Sequence, residues 1–288
     1  MTAAAMAGAA SLPPAAPSAA SLPMYDLPEV AWATDALWSV VAARLSAAGI
    51  AAAPALSRDS TLNELWTDPA LLLSQTCGNP YARQYRDRLR LVATLRYAAP
   101  GCDGPRYSSQ LMVRKDAPGE ALADFRGTVC AVNGWDSLSG WVALAAALPE
   151  PPDRFFRAAL VTGAHANSMA AVAAGEADIA AIDCVTYALL QRHRPGATAG
   201  LRAIGRTAPA PGLPLVTRRD ADDRTVEALR SALRGALADP ALAEARAALL
   251  IEGIEILGEA DYDAIPPQPV STPQLSVPTR RSATAPRP

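Results

Sequence analysis

The chain has 288 residues, half of them hydrophobic, and its 26 basic and 28 acidic side chains leave a net charge of −2. That balance excludes a nucleic-acid-binding face and attraction to an anionic membrane as organising features. The length leaves room for one large domain or for two lobes of ordinary size.

The opening stretch, MTAAAMAGAASLPPAAPSAASLP, contains no arginine or lysine and is broken by Pro13, Pro14 and Pro17. A secretory signal needs a positive start and an unbroken apolar core, so residues 1–20 read as a flexible leader and the chain as cytoplasmic. Ser21–Tyr25 is expected as a first strand. In Thr34–Ala47, Leu37, Val40, Val41 and Leu45 recur at helical spacing, and Gly49 closes the helix. Ala51–Leu56 reads as a weak second strand and Leu62–Trp66 as a short helical turn. Leu71–Ser74 is apolar enough for a strand buried on both faces. Its exit, residues 75–80, is a polar loop in which Pro80 suits the first turn of a helix. Leu89–Tyr97 is another strand, followed by turn-forming residues through Pro105.

Tyr107–Lys115 and Thr128–Val132 read as further strands. The loop Asn133–Ser137 leads into a helix over Leu138–Leu148, with Asp136, Ser137 or Ser139 as its cap. The segment VTGAHANSMAAVAAGEADIAAIDCVTYALL then divides into four pieces. These are a strand ending at Thr162-Gly163, a helix over Asn167–Ala174, a strand Ala177–Ile182, and a helix from Cys184, with Gly175 at a helix end. Leu201–Ile204 and Leu215–Thr217 are strands; Thr225–Leu237 and Ala241–Leu250 are helices. Residues 265–288 are proline-rich and polar, and are expected to be disordered.

Alternating strands and helices predict an α/β fold. Turn-rich crossings near Asp103–Arg106 and Ala208–Leu213 divide it into two lobes, residues 21–106 plus 212–264 and residues 107–211. Each lobe is expected to be a mostly parallel sheet flanked by helices, with a cleft between them. No apolar run reaches the length of a membrane span. Cys77, Cys102, Cys130 and Cys184 are scattered without a CxxC pair, and only two histidines accompany them, so zinc is not expected. The cysteines read as small buried hydrophobes, and disulfides among them require export. Lys115, the only lysine, sits beside Asp116 at a polar strand end, which sets aside Schiff-base chemistry. No Walker sequence or GxGxxG follows a strand, and no cofactor is expected.

In open α/β sheets ligands sit outside the carboxyl ends of the strands. Tyr25, Gln75, Thr76, Asn133, Ser137, Ser139, His165 and Asp183 all fall at or just past such ends. Ser137 and Asp183 also suit helix capping, and the free N–H groups of a helix start attract anions. His165 reads either as a donor to a ligand oxygen or as a side chain satisfied by nearby backbone. Asp183 reads as the acceptor for a ligand amine or hydroxyl, or as the group orienting His165. Tyr25 and Tyr187 are core residues or apolar walls with a hydroxyl tip. A triad of Ser137 or Ser139 with His165 and Asp183 lacks a GxSxG elbow, so no catalytic residue is expected.

The stretches SLPMYDLPE, LLLSQTCGNP, YSSQLMVRKD, DFRGTVCAVNGWDSLSGW and the Val161–Leu190 segment together resemble the phosphate/phosphite/phosphonate substrate-binding proteins of ABC transporters. The resemblance spans most of Ser21–Leu250 and implies the type 2 periplasmic binding protein fold. It implies ligand contacts from Tyr25, Gln75-Thr76, Ser137, Ser139, His165 and Asp183. The chain departs from the family pattern at Trp135 and Asp136, and with Gly163-Ala164-His165 in place of Gly-Ser-His. The resemblance implies a non-catalytic solute-binding protein that closes on a small anionic or mixed-charge organic ligand, with a periplasmic location as the alternative to the cytoplasm and, if exported, an ABC permease as partner; a monomer is expected. Mixed charge is expected because Asp136 and Asp183 are acidic while the strand-exit loops hold no arginine. The rivals are a cytoplasmic enzyme on the same scaffold, with His165 or Asp183 as acid–base group, and a cytoplasmic ligand sensor.

Overall fold

A computed structural model describes residues 19–275. Two sheets and a small ribbon organise it. The first sheet runs in the order Ala19–Ser21, Leu71–Gln75, Pro214–Arg218, Leu89–Tyr97, Ile251–Glu255. The second runs Leu201–Arg206, Ser109–Arg114, Ile179–Asp183, Val129–Val132, Ala158–Val161, Gln274–Leu275. The sheets are mixed rather than mostly parallel. Only the first pairing of the first sheet is parallel, whereas the last three of the second are. Strands buried on both faces look alike in sequence whichever way they run, so apolar runs could not reveal this.

The Ala31–Ala47 helix buries Ala33, Leu37, Trp38, Val41 and Leu45 at helical spacing. It ends as expected: Gly49 adopts φ +76° and Ile50 N–H reaches back to Leu45 O at 3.0 Å. This helix packs on Asp223–Leu237, whose first turn is capped by Asp222 through Thr225 N–H at 2.7 Å. In the second sheet the period of two is explicit. Cys130, Val132, Ile179 and Ala181 face the large core, while Val129, Ala131, Ala180 and Ile182 face a smaller one under the His165–Ala173 helix. The large core is continuous from Leu37, Trp38 and Leu73 beside the first sheet to Trp141, Val185 and Leu189 beside the second.

Several expected elements differ. The first strand is Ala19–Ser21 and not Ser21–Tyr25, because Pro23 has no N–H to continue it. Ala19 and Ala20 therefore belong to the sheet, and residues 1–18 lie outside the described residues. Ala51–Leu56 forms no strand. Pro54 interrupts it, and the segment is held instead by the Trp38 indole N–H on Ala53 O at 3.0 Å. Ile251–Glu255 and the Glu259–Asp263 helix were not anticipated. Tyr262 anchors the latter, its hydroxyl bonding Thr94 Oγ1 at 2.8 Å and Gly212 O at 3.0 Å.

The tail expected to be disordered from 265 is docked as far as Leu275. Arg83 holds Ile265 O at 2.9 Å, Asn79 donates to Gln268 at 2.9 Å, and Ser271 donates to Asp153 at 2.7 Å. Gln274 and Leu275 then pair with Ala158 and Ala159. Residues 276–288 lie outside the described residues.

The two crossings lie side by side. Ala210 and Pro211 pair antiparallel with Tyr107 and Arg106, which pair in turn with Cys102 and Asp103, and Gly212 N–H reaches Pro105 O at 2.7 Å. The chain leaves the first sheet and returns to it through this one ribbon.

Candidate functional site

The strand Val129–Val132 opens into the loop that carries Asn133 and Ser137. Ser137 caps the following helix, its Oγ accepting from Gly140 N–H at 3.0 Å. Two residues on, Ser139 is buried and forms a hub. Its Oγ lies 2.9 Å from His165 Nε2, and its carbonyl accepts from Ser109 Oγ at 2.9 Å. Gly140 is required here, since a Cβ would stand 1.8 Å from Asn133 Oδ1 and 3.3 Å from His165 Cε1. Asn133, Ser139 and His165 are thus gathered around one backbone position.

Across from them, Asp183 ends its strand and caps the Cys184–His193 helix, with Oδ1 accepting from Val185 N–H at 2.7 Å and Thr186 N–H at 3.0 Å. Its Oδ2 accepts from the Tyr25 hydroxyl at 2.8 Å. Tyr25 comes from the loop after the first strand, so this bond joins the two sheets' halves of the molecule. Tyr25 also meets Tyr97 edge-on, with centroids 5.0 Å apart, and Gln75 donates to the Tyr97 hydroxyl at 3.2 Å. Glu29 with Arg194, and Asn79 with Asp136 O at 2.9 Å, make further links across the same junction.

Burial sets the charge of the site. It pushes the Asp183 carboxyl up to about 6, against the hydrogen bonds from Thr186, Tyr25 and Val185. Burial holds the His165 ring down at about 4, so the imidazole is neutral at pH 7. The Tyr25 hydroxyl stays protonated far above its ordinary range, through burial and then the Asp183 charge beside it. Three buried polar atoms here have no partner: Tyr107 OH, Asn133 Oδ1 and His165 Nδ1. The Tyr107 hydroxyl lies beside Ser139 without a well-formed hydrogen bond, and Asn133 Oδ1 flanks the same backbone, whereas His165 Nδ1 is on the far side of the imidazole from Ser139, towards the Ala181 backbone.

The structure does not bring every candidate into this group. Thr76 is fully buried, with its N–H on Pro214 O at 3.0 Å and its hydroxyl on Cys77 O at 3.4 Å. Tyr187 packs with Leu27 and Ala166 against the smaller core. Asp183 does not orient His165, because its oxygens serve Val185, Thr186 and Tyr25 while the imidazole bonds Ser139. The Ser–His–Asp relay is therefore broken between its last two members. Tyr97 and Tyr107 were missed, although Tyr97 ends a predicted strand and the strand-exit criterion applies to it. Among the described residues no cluster of histidine, cysteine or carboxylate side chains has the makings of a metal site, and no helix is long and apolar enough to cross a membrane.

Two cavities of about 20 and 10 Å3 border Tyr25 and Tyr97, each the size of a single water. Two sheet-centred halves, one connecting ribbon and a buried polar group at the junction define a two-lobed solute-binding fold. Solved structures agree. A binding protein component of an ABC phosphonate transporter from Pseudomonas aeruginosa superposes with TM-score 0.67 at 17% identity, covering 85% of this chain and 83% of that one. PhnD1 from Prochlorococcus marinus, in complex with methylphosphonate, gives 0.65 at 14%, covering 86% and 95%. XAC2383 from Xanthomonas citri, bound to ATP, gives 0.65 at 18%, covering 86% and 97%. At these identities the likeness concerns the fold. Among curated protein sequences no match was found.

Residues 75–262 match the family described as ABC transporter, phosphonate, periplasmic substrate-binding protein, and the chain belongs to that family. Its members bind small molecules for an ABC permease and are not enzymes, which removes the enzyme rival. The family is periplasmic, so the cytoplasmic expectation drawn from the first residues is not supported and the periplasmic alternative is.

Proposed function

We propose that the chain binds a small organic ligand of mixed charge, of the phosphonate class, between a lobe of residues 21–106 plus 212–264 and a lobe of residues 107–211. The observation that carries this reading is the pair of buried polar atoms beside Ser139, Tyr107 OH and Asn133 Oδ1, neither with a well-formed hydrogen bond. A folded core rarely leaves such atoms bare, and their cost is recovered when a ligand oxygen or N–H meets them. Tyr107 OH can donate and Asn133 Oδ1 accepts, so the pair suits a polar or anionic group offering both roles. Asp183 supplies an acceptor at the other side, where a ligand amine takes over the Oδ2 position that Tyr25 occupies. No arginine or lysine is bonded within this group, which disfavours a bare dianion.

The bordering cavities hold no more than a water each, so the ligand enters as the lobes part about the ribbon. Closure is then stabilised by contacts made only in the closed state. Binding involves no covalent step, and the protein works as a monomer.

The test is titration calorimetry with an aminoalkylphosphonate, its amine-free analogue and inorganic phosphate. Ser137→Ala combined with Ser139→Ala should weaken binding by about 1–3 kcal/mol, roughly 5- to 150-fold, with the fold intact by circular dichroism. Asp183→Asn should reduce affinity for the amine-bearing compound far more than for its analogue. Unchanged affinity in the double variant reduces both serines to structural roles. Inorganic phosphate binding more tightly than either phosphonate removes the mixed-charge reading.

A further inference from the structure

Cys102 and Cys184 are 82 residues apart in sequence, yet their sulfurs lie 3.5 Å from each other. Cys102 belongs to the ribbon that carries the first crossing, and Cys184 opens the helix that Asp183 caps. Their approach is built by the backbone. Ser108 N–H and Oγ both donate to Gly101 O at 3.0 Å, and Cys184 N–H donates to Ser108 O at 3.2 Å. Gly101, with φ +120°, leaves the space: a Cβ there would lie 2.9 Å from Cys184 Cβ and 3.2 Å from its sulfur. Any larger residue at 101 pushes the two cysteines apart.

We propose that Cys102 and Cys184 form an intramolecular disulfide when the protein meets a small disulfide oxidant, tying the first crossing to the Cys184–His193 helix. Bond formation needs the sulfurs to close from 3.5 Å to about 2.05 Å, a side-chain adjustment with no change of fold. Cys102 is the attacking group. It is half-buried whereas Cys184 is fully buried, and the Cys184 thiol donates a hydrogen bond that lowers the Cys102 pKa. With oxidised glutathione, the Cys102 thiolate displaces one glutathione thiolate and becomes a mixed disulfide. The Cys184 thiolate then displaces the second glutathione from Cys102 sulfur. Two protein thiols are oxidised, one glutathione disulfide is reduced, and the two protons that leave the protein thiols end on the two released glutathione thiolates. The other two cysteines do not compete. Burial raises Cys77 to about 11 and Cys130 to about 12, and among the described residues the close sulfur pair is Cys102 with Cys184.

The experiment incubates the purified full-length protein in buffers of graded reduced to oxidised glutathione, then alkylates it under denaturing conditions and maps the peptides. Two of the four thiols should disappear in a single Cys102–Cys184 link. The melting temperature should rise by roughly 5–15 °C and fall back on reduction. Cys184→Ser should stop at the first step, with one glutathione on Cys102 and no rise. Cys102→Ser should take up neither link nor glutathione. Four free thiols in fully oxidised glutathione overturn the proposal, as does a link through Cys77, through Cys130 or between chains.

Discussion

Asp183→Asn and His165→Gln should tilt the pH dependence of stability in opposite directions. Asp183 has an ordinary value of 3.8 and is raised to about 6 in the folded chain. Between those values the folded state holds the extra proton, so Asp183 contributes stability that is complete at low pH and lost as pH rises towards 6. His165 has an ordinary value of 6.5 and is lowered to about 4. There the unfolded state holds the extra proton, so the His165 contribution is present at neutral pH and lost as pH falls towards 4. The Asp183 effect is about 3 kcal/mol, and the His165 effect about 2 kcal/mol once its partial exposure is allowed for. In the parent protein the two nearly cancel.

Denaturant titrations at several pH values from 4.5 to about 7.5 separate them. The asparagine variant keeps only the histidine contribution, so its stability relative to the parent climbs as pH rises. It can still accept from Val185 and Thr186 while no longer burying a charge, so above pH 6 it should be the more stable protein. The glutamine variant should lose ground to the parent over the same interval. Three parallel profiles would mean that neither group is held in its neutral form by burial.

Trp141→Ala is expected to be among the most damaging single truncations near the site. The indole is completely buried and meets Trp135 edge-on with centroids 4.8 Å apart, fixing the helix that Ser137 caps to the loop that precedes it. Removing it costs about 3–5 kcal/mol. At roughly 2–4 °C per kcal/mol the melting temperature falls by about 6–20 °C. Trp141→Phe should be far milder, because most of the apolar bulk remains and an indole N–H without a partner is removed. Equal losses in the two variants would show that the N–H, and not the packed ring, holds the helix.

The sequence was most informative where local chemistry and tertiary role coincide. Asp183 is both a helix cap and the acceptor for Tyr25 at the junction of the two halves, so the capping pattern that exposes it also locates it. The ribbon that joins the first sheet to the second was legible because proline and glycine cluster at Pro100–Pro105 and Pro209–Pro214. Ile251–Glu255 was hidden because Gly253 and three acidic or half-exposed neighbours give it no apolar run, and it is held by pairing with Leu89–Tyr97. Residues 265–275 were misread because composition reports what a segment can bury by itself. Here the order comes from Asn79, Arg83 and Asp153, side chains far away in sequence. The Ser139–His165 bond could be suspected from position, but its pairing at the expense of Asp183 depends on a side-chain direction that sequence does not encode.

The docked tail also guards a sheet margin. Gln274 and Leu275 lie along Ala158 and Ala159 at the border of the second sheet, and Val161 beside them is already well exposed. Ala158-Ala159-Leu160-Val161 has no charge and no proline. Bare peptide groups along such a stretch are a template for another chain to pair with. A version of this protein trimmed at residue 264 for convenience would keep the buried polar group around Ser139 and Asp183. It would also uncover an adhesive seam, so colloidal behaviour is the property that such trimming puts at stake.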